Sequence, residues 1–350
     1  MKVWFAGVPG GGSPGDCKRE RELNLLWILR LWSYYHLRGT GEKMTKGKKV
    51  DLFLDSGAFS AFTQGIEINI QEYIEFIKEH EKHLEVYANL DVIGDPVGSY
   101  RNQKIMERAG LKPIPCFHYG EDPKWLLKYM DEGNDYIALG GMAADKSGAA
   151  LTSEKRQAWL DQVFSNFICG PNGLPKVKIH GFGLTSLRLM MRYPWYSVDS
   201  TSWVVTGRMG SIYIPRFRDG KFIYDEDSWK VCVSTRSPSK GEAGQHIDTF
   251  PPRIKQLLLD YIHDKGFKLG KSEFKMESDK YELKEDEKWF GKAAGGEREV
   301  EIIIENGLSN DYKLRDELNI IYFLDLEKSM PAWPWAFKRE VTAGNGFDLQ

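Results

Sequence analysis

The chain has 350 residues, 41% of them apolar, and a formal charge of −2 from 48 basic and 50 acidic side chains. This is enough apolar material for one large α/β domain with an appendage, or for two domains, and too much for a disordered chain. The balanced charge excludes a generally basic nucleic-acid coat but leaves room for a local basic groove. No apolar stretch reaches the roughly 20 residues of a spanning helix and the start lacks a signal-peptide pattern, so a soluble, cytoplasmic protein with no membrane partner is expected. The four cysteines, Cys17, Cys116, Cys169 and Cys232, are far apart, with no Cys-x-x-Cys pair and no Cys/His cluster of zinc spacing. Four separate reduced thiols, with no metal and no cofactor, are expected.

Residues 2–7, Lys-Val-Trp-Phe-Ala-Gly, read as a first strand. The Gly- and Pro-rich loop at 9–15 has neither dinucleotide-fingerprint spacing nor a following Lys-Ser/Thr; it fits a mobile active-site loop or a plain linker equally. Leu23, Leu26, Trp27, Leu29, Leu31, Trp32 and Tyr35 recur at helical spacing and predict a helix over 20–37. A polar stretch at 39–49 leads into Val50–Asp55, an apolar run ended by Ser56-Gly57, which reads as a buried strand. Further strands are predicted at 86–92, 112–118, 136–141, 177–183 and 196–203, separated by helices near 69–83, 98–109, 123–131, 153–167 and 185–192. Strand ends fall about 18 to 41 residues apart, the period of a βα unit, which implies a parallel sheet with right-handed crossovers.

The fold class is therefore α/β: a (β/α)8 TIM barrel with a small appended C-terminal α/β region. The runner-up is a doubly wound open sheet, which needs a reversal of strand order. The eighth strand has two competing readings. Ser211–Phe217 fits its place, yet Arg218-Asp219-Gly220 turns into Lys221–Tyr224 and reads as a hairpin. From about 235 the composition changes: a linker at 237–241, a helix near 252–263, a charged Gly-containing stretch at 270–298, a strand at 300–305, a helix at 311–328 and an aromatic, basic end at 330–339. The expected domains are a catalytic barrel over 1–235 and an appended region over 236–350 that completes the barrel or contacts nucleic acid.

The strand ends carry Asp55, Asp91, His118, Gly140-Gly141, His180-Gly181 and Asp199. In parallel α/β folds this edge holds the chemistry. One such Asp is as readily a helix cap. Three, with two His and a Gly-Gly pair that admits a ligand against bare backbone, outline a pocket. The set has no Ser or Cys nucleophile with a paired His and no phosphate cradle with Lys. What remains is carboxylate chemistry, one acid as nucleophile and another as proton carrier, as at glycosyl centres, with proton affinities pushed apart. Each His also fits a hydrogen-bonded buried imidazole. A carboxylate glycosidase on the same barrel fits the acids but leaves the Gly-Gly pair unexplained.

The succession Asp55-Ser-Gly-Ala-Phe59, Asn89-Leu-Asp91, Ile137-Ala-Leu-Gly140-Gly141-Met142, His180-Gly-Phe-Gly183 and Val198-Asp199-Ser200 resembles the tRNA-guanine transglycosylase superfamily over about 50–217. Within it, the chain is most similar to the phage-type, DpdA-like branch that places 7-deazaguanine in DNA. The resemblance implies exchange of guanine in DNA for a 7-deazaguanine base (preQ0/preQ1-like) through a covalent aspartyl-glycosyl intermediate. Asp199 would attack C1′, and Asp55 would act as general base on the incoming base. Asp91 would accept hydrogen bonds from the Watson–Crick edge, Gly140 and Gly141 would offer backbone amides, and Phe59 would stack. Ser56, His118 (where the family has a Gln), His180 (at a place usually apolar) and Gly181 would complete the pocket. Trp203 could help to hold the nucleotide, and Arg208, Arg216 and Arg218 would contact phosphates, a solvated surface being the alternative. The target nucleotide must be flipped out or already single-stranded. The family's tRNA enzymes bind zinc through three Cys and one His after the nucleophile strand; those ligands are missing here, so no metal is expected and DNA is favoured over tRNA. Two other readings are a tRNA-guanine transglycosylase and a catalytically silent nucleic-acid-binding subunit. The resemblance also allows a homodimer and, for a phage-encoded chain, the host cytoplasm.

Overall fold

The computed structural model describes residues 1–7, 30–37, 52–142, 150–184 and 186–338. The loop at 9–15, Cys17, the predicted helix over 20–29, the polar stretch at 39–49 and the end from Arg339 lie outside these residues. The described residues form two compact units. One takes in the residues up to Ser200 and from Met330; the other runs from Thr201 to Ser329. The sequence reading placed the division at 235, where composition changes, whereas the units divide at Ser200.

The first unit is an eight-stranded parallel sheet with helices between strands. Its strands are β1 (Lys2–Ala6), β2 (Arg30–Ser33), β3 (Leu52–Asp55), β4 (Leu84–Tyr87), β5 (Cys116–His118), β6 (Tyr136–Gly140), β7 (Lys178–Gly181) and β8 (Ser197–Ser200). They lie in the order β4-β3-β2-β1-β8-β7-β6-β5. Beyond the ends of that order, Ala88 makes a parallel bridge to Ile114. Asn89 N–H donates to Ile114 O and Ile114 N–H to Tyr87 O, each at 2.9 Å.

Two elements differ from expectation. The eighth strand is β2, inside the stretch read as a helix over 20–37, while Ser211–Ile214 is an antiparallel strand of the second unit. Leu31, Trp32 and Tyr34 are all buried, and a short run that is apolar on both sides reads alike as buried helix or buried strand. Pairing with β1 on one side and β3 on the other decides for strand. The strand predicted at 196–203 stops at Ser200, and a helix covers Ser202–Arg208.

Helix starts follow local chemistry. Asn69 accepts from Gln71 N–H and Glu72 N–H ahead of Ile70–His80. Asp95 accepts from Val97 N–H and Gly98 N–H, with Pro96 at the first helical position of Pro96–Arg108. Alternation along each strand sends one set of side chains to a shared interior: Trp4, Ala6, Leu31, Phe53, Cys116 and Ala138, with Ala88 and Ile114. Phe53 packs between Trp4 and His180, ring centroids 5.5 and 4.7 Å away. The segment from Met330 returns to this unit: Trp333 Nε1–H donates to Pro194 O at 3.1 Å and Phe337 N–H to Gly173 O at 2.8 Å.

The second unit contains β9 (Ser211–Ile214), β10 (Arg216–Arg218), β11 (Lys221–Ile223), β12 (Trp229–Cys232), β13 (Lys271–Ser278), β14 (Glu287–Ala294) and β15 (Glu297–Glu305). β10 and β11 form the expected hairpin, closed by Asp219 and Gly220 at φ 52° and 78°, the left-handed pair that a two-residue hairpin turn requires. Its core joins Ile212, Ile214 and Val231 to Leu258, Tyr261 and Ile262 of helix Pro252–Asp264 and to Leu318 of helix Tyr312–Ser329.

Candidate active site at the strand ends

Asp55 is the last residue of β3, His118 of β5, Gly140 of β6 and Gly181 of β7; Asp199 is next to last in β8, and Asp91 follows β4. The two-residue alternation that buries Phe53, Cys116, Ala138 and Ser197 carries Asp55, His118, Gly140 and Asp199 to the same face, one step nearer the strand ends. Asp91 and Asp199 are both close enough to Asp55 to act on its carboxyl electrostatically.

Burial raises the Asp55 carboxyl to about 7, with the negative charges of Asp199 and Asp91 adding to the shift. Gly57 N–H donates to its Oδ2 at 3.1 Å. Gly57 sits at φ 75°, and a Cβ there would lie 2.3 Å from Ser33 Oγ and 2.5 Å from Tyr35 Cβ. The Ser-Gly after the acid is thus a requirement of the turn that presents it.

Asp199 is held from two sides. Gly183 N–H donates to its Oδ1 at 2.8 Å and His180 Nε2 lies 3.2 Å from the same oxygen. Among the described residues its Oδ2 has no hydrogen-bond partner. His180 Nδ1 lies 2.6 Å from Ser197 Oγ, itself 2.6 Å from Tyr136 OH. Burial lowers the His180 pKa, so the ring is neutral. Asp199 Oδ1 already accepts Gly183 N–H and so faces the ring as an acceptor: Nε2 carries the proton, Nδ1 accepts from Ser197 O–H, and Ser197 accepts from Tyr136 O–H. The chain fixes one tautomer and aims its donor at Asp199.

Asp91 lies in a loop pinned by helix Pro96–Arg108. Asn102 Nδ2 donates to Leu90 O, Asn89 Nδ2 to Ser99 O, and Val92 N–H to Ser99 Oγ, at 2.8 to 2.9 Å. Burial raises the Asp91 carboxyl to about 6, with His118 opposing the shift. His118 Nε2 lies 3.5 Å from Asp91 Oδ2 and its Nδ1 3.4 Å from Glu121 Oε1. Cys116 Sγ lies 3.5 Å from His118 Nε2, and burial pushes the thiol up to about 12.

The other predicted positions divide. Phe59 is 62% exposed on helix Ala58–Thr63, open to a stacking partner. Ser56 is buried, and its Oγ accepts from Ala58 N–H, a turn role. Gly140 leaves room for protein: a Cβ there would stand 2.8 Å from Cys116 Sγ and 3.2 Å from His118 Nε2. Gly141, at φ 68°, is exposed. Gly181 turns its missing side chain to Trp195, 3.1 Å from an ideal Cβ, away from the face that holds His180.

Trp203, Arg208 and Arg216 belong to the second unit. Trp203 is fully buried in helix Ser202–Arg208, which corrects the expectation that it stacks on a base. Arg216 donates from Nε to Asp227 O at 2.7 Å and lies over the Trp229 ring. Arg218 is paired with Asp225 and Glu226. Arg208 is exposed, with the Asp316 carboxyl as an electrostatic neighbour.

Four residues escaped the sequence reading: Cys116, Glu121, Tyr136 and Ser197. Cys116-x-His118 and Ser197-x-Asp199 each place two side chains on one strand face, a signal available from alternation alone. Among the described residues no helix is long and apolar enough to cross a membrane. No protein-family model matches the chain, and no curated protein matches it.

Proposed function

We propose that the chain is a transglycosylase that exchanges guanine in DNA for a 7-deazaguanine base, and that its parallel sheet is a closed (β/α)8 barrel with the Ala88–Ile114 bridge at the seam. The observation that carries this reading is the unequal treatment of two coupled carboxylates. Asp199 has one oxygen fixed by Gly183 N–H and His180 and the other without a hydrogen-bond partner among the described residues, while Asp55 holds its proton to about 7. That is the division of labour of a nucleophile and a proton carrier.

In the first step Asp199 Oδ2 attacks C1′ of a flipped-out or single-stranded deoxyguanosine. The C1′–N9 bond breaks, its electron pair leaves on guanine, and protonated Asp55 supplies the proton. In the second step Asp55, now ionised, takes a proton from the ring nitrogen of the incoming 7-deazaguanine, which attacks C1′ and releases Asp199. Asp91 faces the polar edge of the base, and Phe59 offers the exposed ring on which it stacks.

The test is capture of the intermediate. The protein is incubated with single-stranded DNA, duplex DNA and tRNA, and a denaturation-resistant adduct is sought by gel electrophoresis. The expected result is an adduct with guanine-containing DNA that Asp199→Asn abolishes. An adduct with tRNA alone would overturn the DNA reading, and no adduct with any substrate would favour a silent binding subunit.

A further inference from the structure

Asp91, Cys116 and His118 present one carboxylate oxygen, one sulfur and one ring nitrogen, all within 4.8 Å of one another. Cys116 Sγ and Asp91 Oδ2 each lie 3.5 Å from His118 Nε2. Zinc bonds of about 2.3 Å to sulfur and about 2.0–2.2 Å to nitrogen and oxygen, at tetrahedral angles, separate ligand atoms by roughly 3.3–3.6 Å. Both distances fall in that range.

The surroundings add two independent features. Behind His118, Glu121 Oε1 stands 3.4 Å from Nδ1, while Glu121 Oε2 accepts the His118 backbone N–H at 3.1 Å. A carboxylate on the outer nitrogen is the usual companion of a metal-ligating imidazole, fixing its ring and tautomer. Beside Asp91, Asn89 Nδ2 donates to Oδ1 at 3.3 Å, leaving Oδ2 for the cluster. Cys116 is buried, whereas the Asp91 and His118 side chains keep 9% and 18% exposure, so the group is closed behind and open on one side. Three protein ligands with one open position is the arrangement of catalytic rather than structural zinc.

We propose that Asp91, Cys116 and His118 bind one divalent cation of borderline softness, zinc by the chemistry of the donors, with its fourth position open. Thiolate and imidazole in one set exclude the all-oxygen preference of magnesium and calcium. Binding replaces the Cys116 thiol proton, which leaves to solvent, by a sulfur–metal bond. Cys116-x-His118 supplies two ligands from one strand face, and the third, Asp91, comes from a separate stretch of chain that no spacing in the sequence ties to them.

The site is independent of the transglycosylase reading; only its role rests on that reading, in which the open position takes the base carbonyl oxygen and Asp91 grips the base through the cation. The experiment uses the full chain, stripped with a chelator and titrated with cobalt(II). The expected result is a thiolate-to-cobalt charge-transfer band and tetrahedral ligand-field bands that saturate at one ion per chain and vanish when zinc displaces it. Cys116→Ser should lose the charge-transfer band, and Glu121→Gln should keep it while weakening affinity about 10–100-fold. Circular dichroism of both variants shows whether they fold. Absence of the band in the wild-type chain, its survival in Cys116→Ser, or its loss in Cys169→Ser would each overturn the site and leave a hydrogen-bonded cluster. Because no nucleic acid is present, cobalt binding without a DNA adduct would sink the transglycosylase reading alone.

Discussion

At the scale of single residues, the most informative position is His180. It sits one alternation step from Phe182 on the interior side of β7 and donates to the carboxylate that the proposed chemistry uses. A neutral imidazole held by Ser197 and Tyr136 offers a fixed dipole rather than a charge, so it orients Asp199 without quenching it as a nucleophile. His180→Phe should fill the space but remove the donor, slowing single-turnover adduct formation on DNA by about 10²-fold or more while nucleic-acid binding stays near wild type. His180→Gln, which keeps an N–H donor, should recover most of that loss. An unchanged rate in His180→Phe would reduce His180 to a packing residue. The sequence marked His180 by its place at a strand end; that it faces Asp199, while Gly181 faces Trp195, follows from the phase of alternation along β7.

Among elements, helix Tyr312–Ser329 shows how one polar side chain can hold several backbones. Asn319 Nδ2 donates to Trp203 O at 3.0 Å and its Oδ1 accepts Tyr213 N–H at 2.8 Å. Arg315 Nε adds a 2.7 Å bond to Gly207 O. Close approach is possible because residue 207 is glycine: a Cβ there would stand 2.1 Å from Asp316 Oδ1. Asn319→Leu keeps the volume but takes the acceptor from Tyr213 N–H and a donor from Trp203 O, so it should destabilise the protein by roughly 1–3 kcal/mol, measured by urea denaturation. The helix itself was legible from its apolar spacing, but Asn319 was not, because an Asn in mid-helix looks the same in sequence whether solvated or buried. The misread stretch at 30–33 has the same origin. Its apolar residues satisfied helix spacing, and only pairing between β1 and β3 made it a strand.

For the whole molecule, the buried acids link stability and activity to pH in the same sense. Asp55 and Asp91 hold their protons to about 7 and about 6 in the folded state, while unfolded carboxyls release theirs near 4. Between about pH 4 and 7 the folded state therefore binds more protons than the unfolded state, and unfolding free energy falls as pH rises through that window. Asp55→Asn removes a buried charge at high pH, so it should stabilise the fold by roughly 1–3 kcal/mol at pH 8 and by little at pH 4, read from thermal unfolding at the two values. Base-exchange activity of the wild type should likewise fall as pH rises through about 7, because the first step needs protonated Asp55 to supply the proton of the departing guanine. A flat stability profile between pH 4 and 8 would contradict the burial of these carboxyls.

The sequence by itself determined the βα period, the parallel strands, and the run of acids, histidines and glycines at their ends. These depend on local apolar patterning and turn chemistry, which each segment carries alone. Only the tertiary structure decided which strand is the eighth, that Trp203 is core, that Arg216 and Arg218 are engaged within their own unit, and that Cys116 joins Asp91 and His118. Each of those depends on what a side chain meets across the sheet, and strand order and register are settled by pairing between segments distant in the chain.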